Sequence, residues 1–337
     1  MAKRMQTLTL DQALDGLPAD FGFFAERYRT QIQPGLAGRE AERVAAVKRQ
    51  QRYGLIAVVA AVVIAGGGFA LFNTPFVLAA AVAAGGGIWA WGGMALSKLG
   101  HETKLMLVEP VANQFGMQFE MAPPPPGAML RCRDLGLVPS WDRAKYEDQL
   151  TGQRGDAPFE FFEAHLEDKR TTTDGKGNTR TTWVTVFRGQ CLAVRFHKPF
   201  EGITKVFRDA GFMNSFMKLG QKLPRVKLED PVFEKAFEVY GSDQVEARFI
   251  LTPDFMERLL LLEKTFEGKQ LRCAFSGGEM FLCVAGKNLL EPGSMHRPMD
   301  DLNRVREMLL DFAAVFLLID AMSQRRTPDA LRGAVEP

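Results

Sequence analysis

The chain has 337 residues, of which 46% are hydrophobic and 24% are charged, and its formal net charge is +2. A chain this close to neutral gives no electrostatic reason to expect a nucleic-acid partner. Its four cysteines, Cys132, Cys191, Cys273 and Cys283, show no C-x-x-C spacing. In a reducing cytosol this usage predicts free, buried thiols, so we expect no disulfide, no zinc site and no cofactor.

Residues 1–52 are expected to form a cytosolic helical arm. Asp20 is placed to cap a helix whose apolar residues recur at helical spacing, at Phe21, Phe24, Tyr28 and Ile32. A second helical stretch, rich in Arg and Ala, follows Pro34-Gly35. The helix of the arm is therefore expected to continue directly into residues 53–97.

Residues 53–97 have the clearest sequence pattern in the chain, two long apolar runs. Two apolar runs, 54–72 and 76–96, contain no charged residue and are separated by only three residues. At 1.5 Å rise per residue, a helix of about 20 residues matches a hydrocarbon core of about 30 Å. This segment is therefore predicted to be a transmembrane helical hairpin. Glycines at 66–68 and 85–87 would either allow its two helices to approach closely or only loosen them.

The flanks of this hairpin predict its orientation. Basic residues precede the first run and follow the second, at Arg39, Arg43, Lys48, Arg49, Arg52, Lys98 and Lys104. The connecting turn carries no charge. Because Lys and Arg concentrate in short cytoplasmic flanks, both termini are predicted to be cytosolic.

Residues 98–126 are expected to connect the hairpin to a folded domain. Helix is predicted to continue to about Val108, and residues 115–121 alternate like a strand. The prolines at 123–126 exclude a helix or a sheet interior, so they indicate a spacer.

Residues 127–322 are expected to form a cytosolic α+β domain of antiparallel strands with flanking helices, and residues 323–337 a flexible tail. One strand is predicted around 159–167, and two more within 181–196, broken at Arg188-Gly189. Between them, residues 174–178 have the composition of a hairpin turn.

The second half of this domain alternates between the two kinds of element. Thr252 is a suitable N-cap and Pro253 a suitable first residue for a helix over 253–263. Strands are predicted at 233–240, 245–251, 271–275 and 280–284, the last two joined by a turn at 276–279.

A last helix is predicted over 298–322, starting near Asp300. Its segment 312–319 is wholly apolar, but Asp311 and Asp320 bracket it. A charge inside a membrane span costs about 2.5–3.5 kcal/mol. We therefore predict a buried or docking helix and not a third span.

Several stretches resemble the domain-of-unknown-function 3137 family of bacterial membrane proteins. The resembling residues are 228–240, 243–248 and 251–256, with Tyr146-Glu147-Asp148, Gly152, Phe159, 163–166 and 187–189. The two-span hairpin is similar as well. The resemblance implies a two-pass protein of the bacterial inner (cytoplasmic) membrane, and it brings no catalytic assignment.

The chain lacks the common nucleotide-binding, hydrolase and metalloprotease motifs, so no catalytic, cofactor-binding or metal residue is assigned. One candidate polar cluster is His165, Glu246 and Arg248. On a predicted strand Glu246 and Arg248 would share a face, where they could serve acid–base chemistry or a structural ion pair with Asp243 or Glu238.

A second candidate lies in the basic stretch 195–227, where an apolar stripe is flanked by lysines. We predict a leaflet contact formed by Phe212, Met213, Phe216, Met217, Lys218 and Lys222. A basic amphipathic helix of this kind binds anionic lipid headgroups. The alternative is a helix that faces the core with solvated lysines.

The favoured function is a non-enzymatic scaffold or accessory protein whose cytosolic domain binds a partner protein or the leaflet. The alternative is a membrane-anchored enzyme, such as a hydrolase acting on a membrane-associated substrate. A cleft joining the candidate polar cluster would favour the enzyme, whereas an exposed sheet edge would favour binding.

Overall fold

The computed structural model describes residues 8–72, 74, 76–175, 177–196, 198–208, 223–265 and 271–322. Within them the chain forms two compact units. The helical unit contains described residues from 8–15, 19–110 and 291–309, and the sheet unit those from 16–18, 111–290 and 310–322. Helices and an antiparallel sheet together confirm the predicted α+β class.

The helical unit begins with short helical turns and continues in two long helices. Its helices are α1 (Leu10–Leu14), a 3-10 turn (Ala19–Phe21), α2 (Phe24–Arg27), a π-helical turn (Tyr28–Ile32), α3 (Gln33–Phe72) and α4 (Phe76–Gln114). The predicted apolar stripe of the arm is buried. Asp20, the predicted cap, lies inside the 3-10 turn, and the residue at the N-cap position of α2 is Phe23.

Each predicted apolar run lies within one long helix, and both helices are long and apolar enough to cross a membrane. The helix predicted to end at about Val108 is longer, because α4 extends to Gln114. Pro110 does not end it, and its carbonyl accepts a hydrogen bond from Arg27 Nη1 at 2.8 Å. The residues that precede the first run and those that follow the second are thus helical.

Small residues allow α3 and α4 to approach closely. A Cβ added at Gly85 would lie 3.2 Å from the carbonyl oxygen of Ala57, and one at Gly92 would overlap the Cβ of Tyr53. A Cβ at Gly86 would meet nothing within 4 Å. A Cβ at Gly68 of α3 would lie 2.5 Å from Cγ1 of Val77 on α4. Close approach is therefore confirmed at one glycine of each predicted triplet, and Gly92 adds a contact that the sequence did not reveal.

Residues 291–309 belong to the helical unit through a polar network. Glu40 accepts a hydrogen bond from the Met299 amide at 3.0 Å and pairs with Arg43 at 2.7 Å. Arg43 in turn donates to the Met295 carbonyl at 3.2 Å. The hydrogen bond from Arg43 lowers the pKa of Glu40, so the carboxylate is the form that holds this loop.

Among the described residues, the sheet unit contains nine antiparallel strands in the order β1-β2-β3-β4-β9-β8-β5-β7-β6. The strands are β1 (Gln118–Glu120), β2 (Arg143–Arg154), β3 (Ala157–Thr173), β4 (Thr179–Arg195), β5 (Thr204–Arg208), β6 (Arg225–Val226), β7 (Phe237–Gly241), β8 (Arg272–Ser276) and β9 (Glu279–Ala285). Its helices are α5 (Gly127–Asp134), α6 (Pro231–Ala236), α7 (Gln244–Ile250), α8 (Pro253–Thr265) and α9 (Leu302–Met322), the last of which begins among residues of the helical unit.

All four cysteines and most of the last helix, α9, are buried in the core of the sheet unit. The cysteines are free and buried, as predicted, and burial raises the pKa of the Cys273 thiol. Residues 312–319 of α9 are buried or nearly so. At the end of that stretch Asp320 forms a two-point ion pair with Arg154, both contacts at 2.6 Å. The buried-helix prediction for this segment is confirmed, and α9 starts at Leu302, close to the predicted start at Asp300.

Three predicted strand features are wrong. β4 runs unbroken through Gly189, where a Cβ would overlap the Val284 carbonyl of the neighbouring strand. The first half of the predicted strand 233–240 is α6, capped by Asp230. The predicted strand 245–251 is α7, because the Asp243 carboxylate accepts hydrogen bonds from the Val245 and Glu246 amides and caps a helix.

We expect opposite effects from alanine at two glycines of α4. Gly86→Ala should raise the stability of the helical unit by up to about 1 kcal/mol, because it removes the backbone entropy cost of glycine. Gly92→Ala should lower it, since the new Cβ cannot rotate away from Tyr53 and must separate the helices. Thermal unfolding of the full chain in detergent measures both, and equal or greater stability of the Gly92 variant would contradict this packing.

Candidate functional site

Strands β3 and β4 extend well beyond their neighbours. They pair with each other from Phe159↔Val194 to Thr173↔Thr179. β2 pairs with β3 only as far as Glu167, and β9 pairs with β4 only from Gly189. Among the described strands, none pairs with the outer sides of residues 168–173 and 179–187, which we call the ribbon. Six residues at about 3.4 Å each give it a length of about 20 Å.

The local sequence explains why the ribbon forms. Asp174 closes the turn, because its amide donates to the Asn178 carbonyl at 3.0 Å and its carboxylate accepts from the Asn178 amide at 2.9 Å. Gly177 takes the left-handed conformation that the turn requires, with φ 83°. The predicted hairpin turn is therefore confirmed. Threonines opposite each other, such as Thr171 and Thr181, favour the extended backbone on both sides.

A β-bulge marks the base of the ribbon. Leu166 pairs with Phe187, and the next residue, Glu167, pairs with Thr185, so Val186 is an extra residue on β4. A bulge bends its strand and increases the local twist. The ribbon therefore leaves the sheet at a point where the direction of the two strands changes.

An exposed aromatic residue lies at this base. The Arg143 guanidinium stacks 4.1 Å from the centre of the Trp183 ring, and its Nε donates to Glu167 at 2.6 Å. Trp183 remains 40% exposed. The hydrogen bond from Arg143 lowers the pKa of Glu167. We call Arg143, Glu167 and Trp183 the Trp183 cluster. Tryptophan and arginine are the residue types that most often dominate binding energy in interfaces.

The ribbon carries an excess of positive charge. Lys169, Arg170 and Arg180 stand against a single acidic residue, Asp168. The described ribbon residues are exposed, except for the half-buried Asp168, Val184 and Val186 and the buried Phe187. Its surface therefore combines basic side chains, threonine hydroxyls and two edges that no described strand pairs with. On the β3 edge, the Lys169 amide donates to the Asp142 carboxylate at 2.7 Å.

The candidate polar cluster is spread over two regions of the sheet unit. His165 is half-buried at the base of the ribbon, with Nε2 2.9 Å from the Thr185 hydroxyl. Glu246 lies on α7, which follows β7, and β7 is five positions from β3 in the sheet. At about 4.8 Å per strand, that separates them by about 24 Å.

Glu246 and Arg248 each have their own partners. The two carboxylate oxygens of Glu246 accept hydrogen bonds from the Glu201 and Gly202 amides, both at 2.7 Å. Arg248 Nε donates to the Lys227 carbonyl at 3.3 Å. Because residues two apart on a helix point in nearly opposite directions, they do not share the face that a strand would have given them.

The predicted leaflet contact, Phe212, Met213, Phe216, Met217, Lys218 and Lys222, lies outside the described residues. Basic residues at either end of its stretch have partners in the sheet unit. Arg208 pairs with Glu263 at 2.7 Å, Arg225 with Glu238 at 3.5 Å, and Lys198 donates to the Phe249 carbonyl at 2.9 Å. Within the described part of the chain, no group of three His, Cys, Asp or Glu residues is arranged to hold a metal ion.

Removing the Arg143 guanidinium should change two signals at the ribbon base. In Arg143→Gln the pKa of Glu167 should rise toward its ordinary value, since the hydrogen bond that lowers it is lost. The emission of Trp183 should shift to the red as its stacked partner disappears. Arg133→Gln, which removes the arginine over Trp141, is the matched control. A carboxyl titration by NMR that finds the Glu167 pKa unchanged would contradict the cluster.

Comparison with known proteins gives one family and one weak structural resemblance. Residues 185–324 match the model of a family described as protein of unknown function (DUF3137). No curated protein matches the chain.

The crystal structure of the mycobacterial trehalose monomycolate transport factor A, TtfA, is similar at 10% identity over 62% of this chain and 91% of that chain, with a TM-score of 0.29. A TM-score this low supports no conclusion about fold or function. The family match includes the motifs at 187–189 and 228–256, so the resemblance to this family that the sequence indicated is confirmed over residues 185–324.

Proposed function

We propose that this chain is a two-pass protein of the bacterial inner membrane, with both termini cytosolic, whose sheet unit binds a partner protein in a scaffold or accessory role. The observation that carries the binding role is the ribbon. It offers two edges that no described strand pairs with, an exposed tryptophan and basic side chains on one projecting element.

The membrane part of the proposal is supported by the surface of α3 and α4. Their apolar stretches are long enough to span a bilayer, and only 6% and 17% of the best windows are buried. A helix from the core of a soluble domain would be mostly buried, which these are not. Basic residues flank the apolar runs, in agreement with cytosolic ends.

The ribbon supports binding by strand addition. An unpaired strand edge presents a row of N–H and C=O groups that an extended segment of another protein can pair with. A two-stranded hairpin alone is only marginally stable in water, so a third strand would stabilise it. The basic residues Lys169, Arg170 and Arg180 complement an acidic segment. We therefore expect a partner that contributes an extended, acidic strand.

The geometry does not favour the enzyme alternative. That reading required a cleft joining His165, Glu246 and Arg248. These residues are separated by several strands and are engaged with their own partners. Leaflet binding by the stretch 195–227 stays a proposal, since its apolar stripe lies outside the described residues.

Site-specific photo-crosslinking in native membranes tests the ribbon. A photoreactive amino acid at Thr181 should yield a discrete crosslinked product. The same residue at Val232, which is 63% exposed on α6, is the control for random collisions. Arg170→Glu together with Arg180→Glu should remove most of the product at Thr181, because an acidic strand would be repelled. The same product at both positions, or a product unaffected by charge reversal, would contradict the proposal.

A further inference from the structure

Three basic residues lie where the apolar part of α3 begins. Lys48, Arg49 and Arg52 precede the uncharged run that starts at Gly54, and all three are exposed. Together with Ala45, Tyr53 and Ile56 they line an open concavity of about 770 Å³. Their spacing places them along one side of the helix, within little more than one turn.

These cations differ from the other basic residues of the same two helices. Arg39 and Lys98 contact Glu102, Arg43 pairs with Glu40, and Lys104 pairs with Glu291 at 3.3 Å. Within the described residues, no ion pair is formed by Lys48, Arg49 or Arg52. Like charges at this spacing on a helix repel each other. The concavity therefore has three positive charges and no carboxylate to balance them.

Aromatic rings hold one of the cations in place. The Arg49 guanidinium lies 5.5 Å from the centre of the Tyr53 ring and 5.6 Å from that of Trp91 on α4. The two rings contact each other edge to face at 5.2 Å. Tyrosine and tryptophan favour the depth at which headgroups meet the hydrocarbon. Arg49 is thus positioned with its N–H donors still available to a ligand.

We propose that Lys48, Arg49 and Arg52 bind the phosphate of an anionic phospholipid headgroup; this rests on the membrane placement proposed above. Guanidinium groups bind phosphate oxygens in pairs, and a lysine adds a compact charge. Beyond the cations, Leu55 and Ile56 are 68% and 46% exposed, so an acyl chain can lie against them. A soluble phosphate would gain nothing from this apolar continuation, which favours a lipid as the source.

Quenching of tryptophan fluorescence by brominated lipids tests this site, because Trp91 lies beside Arg49. The full chain is placed in phosphatidylcholine nanodiscs that contain brominated phosphatidylglycerol or, at the same mole fraction, brominated phosphatidylcholine. We expect stronger quenching by the brominated phosphatidylglycerol. In Lys48→Gln/Arg52→Gln, its apparent affinity should fall about 25-fold, since each cation near an anionic surface contributes about fivefold.

A matched control removes the same net charge elsewhere. Lys235→Gln/Lys287→Gln changes two exposed lysines of the sheet unit and should keep the preference for phosphatidylglycerol. Arg49 is left intact in both variants because its contacts with Tyr53 and Trp91 also support the packing of the helices. Loss of the preference in the control as well would overturn the site, since it would then reflect net charge alone.

The remaining outcomes separate the site from the membrane placement. Equal quenching by both brominated lipids would overturn the headgroup site while leaving the membrane placement intact. Failure of the chain to enter nanodiscs would overturn both. Inorganic phosphate is added in a further arm at constant ionic strength. If it abolishes the preference for phosphatidylglycerol, the ligand is a soluble anion and the lipid assignment is wrong.

Discussion

Many large apolar side chains of α3 and α4 are exposed, and the membrane placement depends on this exposure. Six large apolar residues on each helix are exposed among those described, including Leu55, Val62, Phe76 and Val82. Burying one such side chain contributes about 1.5–3 kcal/mol. Leaving all of them in water would cost more than the net stability of about 5–15 kcal/mol that a typical domain has. An apolar cover is needed, and a bilayer suits helices whose backbone hydrogen bonds are already made.

The exposed apolar surface of α3 and α4 also explains how charge is distributed along the helical unit. Away from the apolar runs, basic residues are neutralised within the protein, as in the Arg43–Glu40 pair that binds the Met299 amide. At the edge of the run, Lys48 and Arg52 have no such partner in the described structure. Our proposals assign both unpaired features of the molecule to partners: the cations to lipid phosphate, and the ribbon edges to an acidic strand.

The sequence predicted features that depend on neighbouring residues. The uncharged runs, the turn at 174–178 and the Thr252-Pro253 helix start each follow from local pattern, and the Phe255 amide does donate to the Thr252 hydroxyl. The prediction was wrong where the same residues fit both a strand and a helix, as at 245–251. Asp243 was interpreted as an ion-pair partner. Its carboxylate instead caps α7, the helix that occupies the predicted strand.

The ribbon could not be predicted, because its free edges depend on where β2 and β9 stop pairing. The stacking of Arg143 on Trp183 joins residues 40 positions apart, which leaves no periodic signal.

Reporter fusions test the central claim, that α3 and α4 cross the bilayer as a hairpin, most directly. A reporter active only in the periplasm is fused at Met1, Asn73 or Pro337, and one active only in the cytosol is fused at the same positions. We expect periplasmic activity at Asn73 alone and cytosolic activity at both other positions. Periplasmic activity at Pro337, or cytosolic activity at Asn73, would contradict it.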